Sequence, residues 1–318
     1  MITTIIGMMT LTNVSPPLQA VDLNRLYKQG ERLEYDFSSR MQMDIRQVPL
    51  ETFMPFSQRF NYTYTLETER LKPDGIADVR FKRNIINVRM GETYDSPPKD
   101  EVIKANNNYL FTMSGKNSII SIKDDSPKDD KKLDHKPVNL FLVNAYPAFL
   151  QFDVGGWMWQ IRSMAGFVNF FDLGPVLPLR EVEVGGTWKD TVGYAPTTIQ
   201  TGADKGKNVV ARLDKVYMYK GMTEHEGKRV VWIQGTVNQS TDAAPLVAEM
   251  LGVDIKRAPF SEIKIQFDAT IDFYLEPSNL TMFRVRAGSE GYISVTIPQI
   301  TGPVYEERFK STALLKKK

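Results

Sequence analysis

The sequence contains no cysteine and only two histidines among its 318 residues. Without cysteine, the chain forms no disulfide bond, uses no thiol as a nucleophile and holds no cysteine-ligated metal. His135 and His225 lie in no metal-binding spacing, and both are predicted to occupy exposed loops. The motifs of serine hydrolases, phosphate-binding loops and dinucleotide-binding folds are also missing. The sequence therefore argues against an enzyme, and we expect neither a cofactor nor a metal.

The chain also lacks an excess of either charge and any long apolar run. Its 40 basic and 38 acidic residues give a formal charge of +2, and no basic stripe is visible. A nucleic-acid partner is therefore not expected. The one basic cluster, Lys316–Lys318, is predicted to be a solvated tail. No stretch approaches the roughly 18 consecutive apolar residues of a membrane-spanning helix, so we expect no transmembrane span.

Residues 1–20 resemble a secretory signal peptide in outline. A short apolar run ends at Pro16 and Pro17, and Ala20 follows as a small residue at a candidate cleavage site. No lysine or arginine precedes the apolar run, which departs from the usual pattern, and a disordered or core-packed N-terminus is the alternative. The leader predicts an extracytoplasmic protein, either periplasmic or secreted.

The stretch from Glu262 to Leu275 alternates apolar and polar residues without a slip. A period of two predicts a β-strand with one wet face. At about 3.3 Å per residue this strand would be about 45 Å long, well beyond the usual strand of about 5 or 6 residues. A strand of that length needs long neighbours. Asp268 and Asp272 share its wet face, and we interpret them as solvent-facing side chains rather than as a catalytic carboxylate pair.

Residues 58–90 are predicted to form a long hairpin. Lys72–Gly75 reads Lys-Pro-Asp-Gly, a strong turn signal between two alternating segments. After the turn, the apolar positions are odd-numbered at Phe81 but even-numbered at Ile86. This change of phase predicts a β-bulge near Asn84–Ile85.

Residues 137–179 differ from the rest of the chain because they are rich in apolar and aromatic residues and poor in charge. They are predicted to form helix and loops that pack between an N-terminal β half (21–136) and a C-terminal β meander (180–318), although one continuous domain also fits. This segment is either plain core or the lining of a pocket, since aromatic-rich concavities are the usual form of apolar ligand sites. Under the second interpretation the candidate ligand-binding residues are Trp157, Trp159, Phe167, Phe170 and Phe171.

These patterns together predict a mainly β protein, α+β at most. Large curved antiparallel sheets would be built from long hairpins, with a short central helical or apolar segment. The two halves look loosely alike, but no fixed-period repeat can be read from the residues.

A short motif follows the apolar segment. Val184 to Trp188 reads Val-Gly-Gly-Thr-Trp and comes soon after Pro178. The motif resembles that of an uncharacterised family of exported bacterial β-rich proteins, whose members carry a proline, then Val-Gly-Asp-Thr-Trp, then a meander of strands. Lys28–Glu31 followed by Tyr35 is similar to that family's opening strand, and Gly186 stands where the family has aspartate.

This resemblance covers most of residues 28–297, and it carries over no catalytic residue. Physically, Gly185 and Gly186 permit a turn with positive φ, and Trp188 would anchor the turn by burying a large ring.

Two functional hypotheses follow. The first is a non-enzymatic extracytoplasmic β protein that binds a lipid or another apolar small molecule in a concave sheet. The second is a structural or assembly component of the cell envelope that acts through contacts with an envelope protein partner.

Overall fold

A computed structural model describes residues 20–91, 99–127, 172–194, 211–245, 248 and 254–318. Eleven β-strands account for most of these residues. They are β1 (Arg32–Gln47), β2 (Met54–Leu71), β3 (Ala77–Met90), β4 (Lys99–Met113), β5 (Ile119–Asp124), β6 (Thr187–Tyr194), β7 (Ala211–His225), β8 (Lys228–Asp242), β9 (Glu262–Leu275), β10 (Met282–Thr296) and β11 (Pro303–Lys317). Within these described ranges, no helix is long and apolar enough to cross a membrane.

All eleven strands belong to one antiparallel sheet. Its order is β5-β4-β3-β2-β1-β11-β10-β9-β8-β7-β6, so consecutive strands are neighbours except where β1 pairs with β11. Residues 21–136 supply β1–β5, and residues 180–318 supply β6–β11. The predicted mainly β class is confirmed, with long hairpins joined into a single sheet. Residues 1–19 of the predicted leader and residues 137–171 of the apolar segment lie outside the described residues.

Strand β9 has the bounds that its alternation predicts. It pairs with β8 and β10 along almost its whole length, and each of these neighbours has 15 residues. Ile263, Ile271 and Phe273 on its apolar face are at most 1% exposed. The unbroken period of two therefore places one face of β9 in the core.

The hairpin of β2 and β3 contains the predicted irregularity. A single 3₁₀ turn at Pro73–Gly75 joins the two strands. The register between β3 and β4 shifts between Arg83 and Ile85, and the register between β2 and β3 shifts between Asn61 and Thr65. Because an extra residue re-aims the pleat, the apolar side chains on both sides of the bulge face the core.

The sheet is strongly curved, since two adjacent residues, Val176 and Leu177, contact its two opposite edges. The amide of Leu177 donates to the carbonyl of Lys116, in the turn between β4 and β5, at 2.8 Å. The indole Nε1 of Trp188, on β6, donates to the carbonyl of Val176 at 2.8 Å. A flat sheet of eleven strands spaced about 4.8 Å apart would hold its edges about 48 Å apart. The sheet therefore curls until both edges meet one segment.

We call this end of the sheet the closed end, and two segments, residues 20–31 and 172–186, define it. The segments pair with each other through an antiparallel bridge between Val21 and Val182. The amide of Arg25 donates to the carbonyl of Gly115 at 2.8 Å, in the same β4–β5 turn. The closed end thus connects both edges of the sheet to residues 20–31.

The last three residues correct one expectation. Lys316 and Lys317 belong to β11 and pair with Asp36 and Tyr35 of β1, so they do not form a free tail. The Lys318 amide continues the pairing by donating to the carbonyl of Glu34 at 2.9 Å. Lys317 also forms an ion pair with Glu276, which follows β9, and Lys318 forms one with Glu34 of β1.

Candidate functional site

The face of the sheet that carries the alternating apolar side chains is called the inner face. One hydrophobic cluster runs along it through β1–β4 and β7–β11, with Ile119 of β5 and Trp188 of β6 packed against it. The bulkiest side chains buried in this cluster are Tyr35, Tyr64, Phe81, Phe111, Tyr217 and Phe273. Every described strand therefore contributes to one continuous apolar surface.

Aromatic rings form a row across β1–β4 on the inner face. The ring of Tyr64 stacks on Tyr35 with a centroid distance of 5.2 Å and on Phe81 with a distance of 5.1 Å. Phe81 continues to Tyr109 at 6.1 Å. Rings at the same parity on neighbouring strands come this close because paired residues share a face of the sheet.

Two polar groups are buried beside this aromatic row. The Asp172 side chain is fully buried and accepts a hydrogen bond from the Tyr62 hydroxyl at 3.0 Å, while its carbonyl accepts one from the Tyr64 hydroxyl at 2.7 Å. The guanidinium of Arg83 lies 4.7 Å from the centroid of the Tyr62 ring and donates from Nε to Asn107 at 3.0 Å. These contacts give the buried polar groups the partners that burial requires.

A buried ion pair lies on the inner face near the other edge of the sheet. Lys215 of β7 is 4% exposed, and its ammonium is 2.6 Å from the carboxylate of Asp190 on β6. Burial acts to lower the pKa of Lys215, but Tyr217 and Asp190 together outweigh it and raise the pKa. The pair fastens the edge strand β6 to β7.

Glu307 on β11 is the buried charged group with the fewest partners in the described structure. It is fully buried on the inner face, and its Oε2 accepts a hydrogen bond from the Tyr305 hydroxyl at 2.6 Å. Its other carboxyl oxygen, Oε1, is buried and has no hydrogen-bond partner among the residues that the structure describes. Burial raises the pKa of Glu307 to about 7, and the Tyr305 hydroxyl only partly opposes this. Burial and the adjacent carboxylate raise the pKa of Tyr305 as well.

Small residues form the inner face in the middle of β10, and we call this stretch the floor of the inner face. Ala287, Ser289 and Gly291 are half-buried, whereas Val285 and Ile293 on either side are 1% and 0% exposed. Further small side chains face this stretch from β9 and β11: Ala269, Ser311 and Ala313. This part of the inner face is shallow and partly accessible, so it can receive an apolar body.

The outer face carries a groove of about 850 Å³ that crosses β2, β1, β11, β10 and β9. Its charged lining residues are Arg40, Asp44, Asp268, Glu290, Arg308 and Lys310. Because acidic and basic side chains are mixed there, the groove favours neither sign of ligand charge. Most of its lining side chains have the outward parity, and Met43 and Phe309 of the apolar cluster also line it.

The ligand-binding residues predicted from the sequence, Trp157, Trp159, Phe167, Phe170 and Phe171, lie outside the described residues. Their role in ligand binding therefore stays a prediction. Among the residues that are described, no three acidic or histidine side chains are grouped to hold a metal ion.

His225 departs from its predicted place in an exposed loop. It ends β7, is half-buried, and its ring stacks on Tyr274 with a centroid distance of 3.8 Å. Burial, together with Arg286 and Arg284, lowers the pKa of His225. The neutral ring is therefore favoured, because a protonated ring would meet two nearby guanidinium groups.

The wet-face carboxylates of β9 hold neighbouring side chains. Asp272 accepts hydrogen bonds from Trp232 at 2.9 Å and from Gln234 at 3.0 Å. Asp268 accepts one from Asn238. All of these partners lie on β8, so the carboxylates link two strands across the outer face.

Sequence reasoning missed Arg83, Lys215 and Glu307, although each leaves a signal. Each is a charged residue at a position where the alternation of its strand calls for an apolar side chain. Glu307, for example, lies between Tyr305 and Phe309 on the buried parity of β11. Interruption of the apolar parity by a charge is the pattern that identifies all three.

Comparisons with known proteins find likeness in structure alone. No family model matches the sequence, and no curated protein sequence matches it. A structure that describes lipid–protein interactions in lipovitellin is similar over 92% of this chain, with 11% identity and a TM-score of 0.40. This chain spans only 25% of that lipovitellin chain.

Two further solved structures are similar over most of both chains. DynF, from the dynemicin biosynthesis pathway of Micromonospora chersina, has 7% identity and a TM-score of 0.20, with 98% of this chain and 92% of that chain covered. A DUF1329 family protein from Desulfovibrio piger has 8% identity and a TM-score of 0.16, with 89% of this chain and 83% of that chain covered.

Proposed function

We propose that this chain is a non-enzymatic β protein that binds a lipid or another apolar small molecule on the inner face of its sheet. The observation that carries the proposal is the continuous apolar surface across eleven strands, with a partly accessible floor of small residues in its middle. Among the described residues, the two segments of the closed end lie on this surface at one end, and Ala243, Ala244, Ala248 and Phe260 pack on it at the other, so the described chain leaves its middle uncovered. An apolar sheet face needs a covering layer, and a ligand would supply part of it.

We further propose that the protein acts outside the cytoplasm. The leader-like residues 1–20 and the resemblance of Val184–Trp188 to a family of exported proteins support this. N-terminal sequencing of protein purified from its own host tests the proposal. A mature chain that begins near Val21 in an extracytoplasmic fraction is expected, and an uncleaved chain in the cytoplasm would contradict it.

Native mass spectrometry of protein purified gently from its host tests ligand binding. We expect a stoichiometric apolar molecule that denaturation releases into a lipid extract. In an Ala287→Trp variant the indole should fill the floor of the inner face, and the purified protein should contain no ligand. The control Thr312→Trp, on the exposed face of β11, should keep its ligand. An empty wild-type monomer would refute the proposal.

A second candidate function, an assembly component of the envelope, is favoured by exposed apolar side chains near one edge of the sheet. Ile85 on β3 is 46% exposed, Val102 on β4 is 60% exposed and Ile120 on β5 is 55% exposed. Light scattering after size-exclusion chromatography tests it. A wild-type oligomer that Ile120→Lys converts to a monomer would support this function, and a monomeric wild type would oppose it.

A further inference from the structure

Glu307 occupies an apolar setting. The register places Ile45 of β1 and Ile293 of β10 directly beside it, and Tyr305 and Phe309 lie next on the same face of β11. The carboxyl group is therefore presented to the inner face by its own strand and framed by apolar side chains on both neighbouring strands.

No basic side chain among the described residues makes an ion pair with Glu307. The arginines of this region belong to the other face: Arg46 pairs with the outward-facing Glu306, and Arg308 is exposed. Within the described part of the chain, the titratable group in contact with Glu307 is the Tyr305 hydroxyl, and its direct register partners, Ile45 on β1 and Ile293 on β10, are apolar. A buried carboxylate with one neutral donor and one unpartnered oxygen lacks the compensation that such groups usually have.

Building on the ligand-binding function proposed above, we propose that Glu307 is the polar anchor for the ligand. The ligand is then an amphipathic molecule whose apolar body lies on the inner face and whose head, a protonated amine or a hydroxyl, donates a hydrogen bond to Oε1. A head with a positive charge binds best, because it neutralises the carboxylate in an apolar setting. A carboxylate head is rejected, because it brings a second negative charge and no donor.

Three probes with twelve carbon atoms each separate these cases: dodecylamine, 1-dodecanol and dodecanoate. Each is titrated at pH 8 against the full chain carrying the neutral fluorescent probe N-phenyl-1-naphthylamine, below the micelle concentration of each competitor. We expect dodecylamine to displace the probe at about tenfold lower concentration than dodecanoate, with dodecanol in between.

The variants assign this preference to one carboxyl group. Glu307→Gln should remove the preference for the amine over the carboxylate and leave dodecanol binding within about threefold of wild type. Glu290→Gln, the same substitution on the exposed outer face, should leave all three values unchanged. Tyr305→Phe removes the competing internal donor and should strengthen the preference, which keeps the test valid if Glu307→Gln fails to fold.

The outcomes separate the two proposals. If wild type and Glu307→Gln both bind the three probes with the same ratios, the anchor role is refuted while ligand binding stands. If N-phenyl-1-naphthylamine and all three competitors fail to bind wild-type protein purified free of ligand, the apolar ligand function is refuted, and the anchor role with it.

Discussion

In the described strands, three charged side chains are buried on the inner face of the sheet, and each is compensated differently. Arg83 donates to Asn107 and lies over an aromatic ring, and Lys215 is paired with a carboxylate. Glu307 has a single tyrosine hydroxyl. The number of hydrogen-bond and ion-pair partners decides the role of each buried charge. A charge with all its partners stabilises the local structure, whereas a charge that lacks a partner can bind a ligand or change its protonation state.

Glu307 should make the stability of the protein depend on pH. In the unfolded chain it ionises near its usual pKa of 4.5, whereas in the folded protein it keeps its proton up to about pH 7. The folded state therefore binds more protons between these values, and stability falls as the pH rises from about 4.5 to about 7. At 1.36 kcal/mol per pKa unit the loss is roughly 3 kcal/mol.

Urea denaturation from pH 4.5 to 8 measures this effect as a difference between variants. The free energy of unfolding of Glu307→Gln should rise relative to wild type by roughly 3 kcal/mol across the range, since glutamine does not titrate. The matched change on the outer face, Glu290→Gln, should show a constant difference from wild type. Parallel curves for Glu307→Gln and wild type would contradict the assignment.

For the buried Lys215–Asp190 pair, removal of one charge should destabilise the protein more than removal of both. Asp190→Asn leaves a buried ammonium without its carboxylate and should lower the free energy of unfolding by about 3 kcal/mol. The double variant Asp190→Asn with Lys215→Met removes both charges and should recover at least half of that loss. Chemical denaturation of the three proteins measures both values, and a double variant no more stable than Asp190→Asn would count against a buried pair.

At the scale of single elements, the turn before β6 shows why two adjacent glycines are needed for different reasons. Gly185 has a φ of +86° with open space where a Cβ would lie. Gly186 has no positive φ, but a Cβ there would lie 2.5 Å from Cγ2 of Val182 and 2.9 Å from the carbonyl oxygen of Glu183. The sequence predicts a positive φ for the pair, and the structure assigns it to Gly185 alone.

Alanine substitutions should separate the two reasons. Gly185→Ala should lower the free energy of unfolding by about 1 kcal/mol, through the backbone alone. Gly186→Ala should lower it by about 2 kcal/mol or more, because the Val182 side chain and the backbone at Glu183 must move. Urea midpoints of both variants give the comparison, and a smaller effect at Gly186 than at Gly185 would contradict the packing argument.

Periodicity predicts some strands completely and others only in part. The bounds of β9 and the bulge in β3 follow from the alternation of apolar residues, because one face of each strand is buried. Strand β4 begins at Lys99, yet residues 99–108 show little alternation, and only Tyr109–Met113 carries a clear signal. That first part of β4 is a strand because β3 pairs with it, which is a tertiary effect that local sequence does not encode.

The candidate site, like the strands, could be predicted from the sequence only in part. That the inner face is apolar could be predicted, since alternation assigns its residues to one side of the sheet. The partnership of Tyr305 with Glu307 could also have been found, because they are two residues apart on one strand. The contacts of Asp172 with Tyr62 and Tyr64 could not, because they join residues 110 and 108 positions apart and depend on how the closed end folds back over β2.

For the whole molecule, Asn117 is the residue that holds the closed end together. Its Nδ2 donates to the carbonyls of Leu173 at 2.7 Å and Pro175 at 3.0 Å, and its Oδ1 accepts from the Tyr27 hydroxyl at 2.7 Å. It also has a φ of +58°, which asparagine tolerates better than most residues. One side chain thus joins the β4–β5 turn to both segments that define the closed end.

Asn117→Asp should loosen the closed end, because it keeps the acceptor and the backbone tolerance but loses both donated bonds. Two buried carbonyls then lack partners and face a carboxylate, and we expect the free energy of unfolding to fall by about 3 kcal/mol. Amide hydrogen exchange should accelerate most in residues 172–186. The control Asn106→Asp, at an exposed residue with a φ of +46°, should change neither quantity; equal effects at the two positions would contradict the role of Asn117.

The pairing of β1 with β11 has a consequence for synthesis on the ribosome. Contacts across this seam, such as that between Glu34 and Lys318, join residues 284 positions apart. At roughly 5 to 20 residues per second, nascent β1 would wait on the order of 15 to 60 seconds for its second neighbour. Throughout that time it offers an open edge to other nascent chains. We expect a translational pause placed before β11 to increase aggregation, measured as insoluble protein, and the same pause placed within β2 to leave it unchanged.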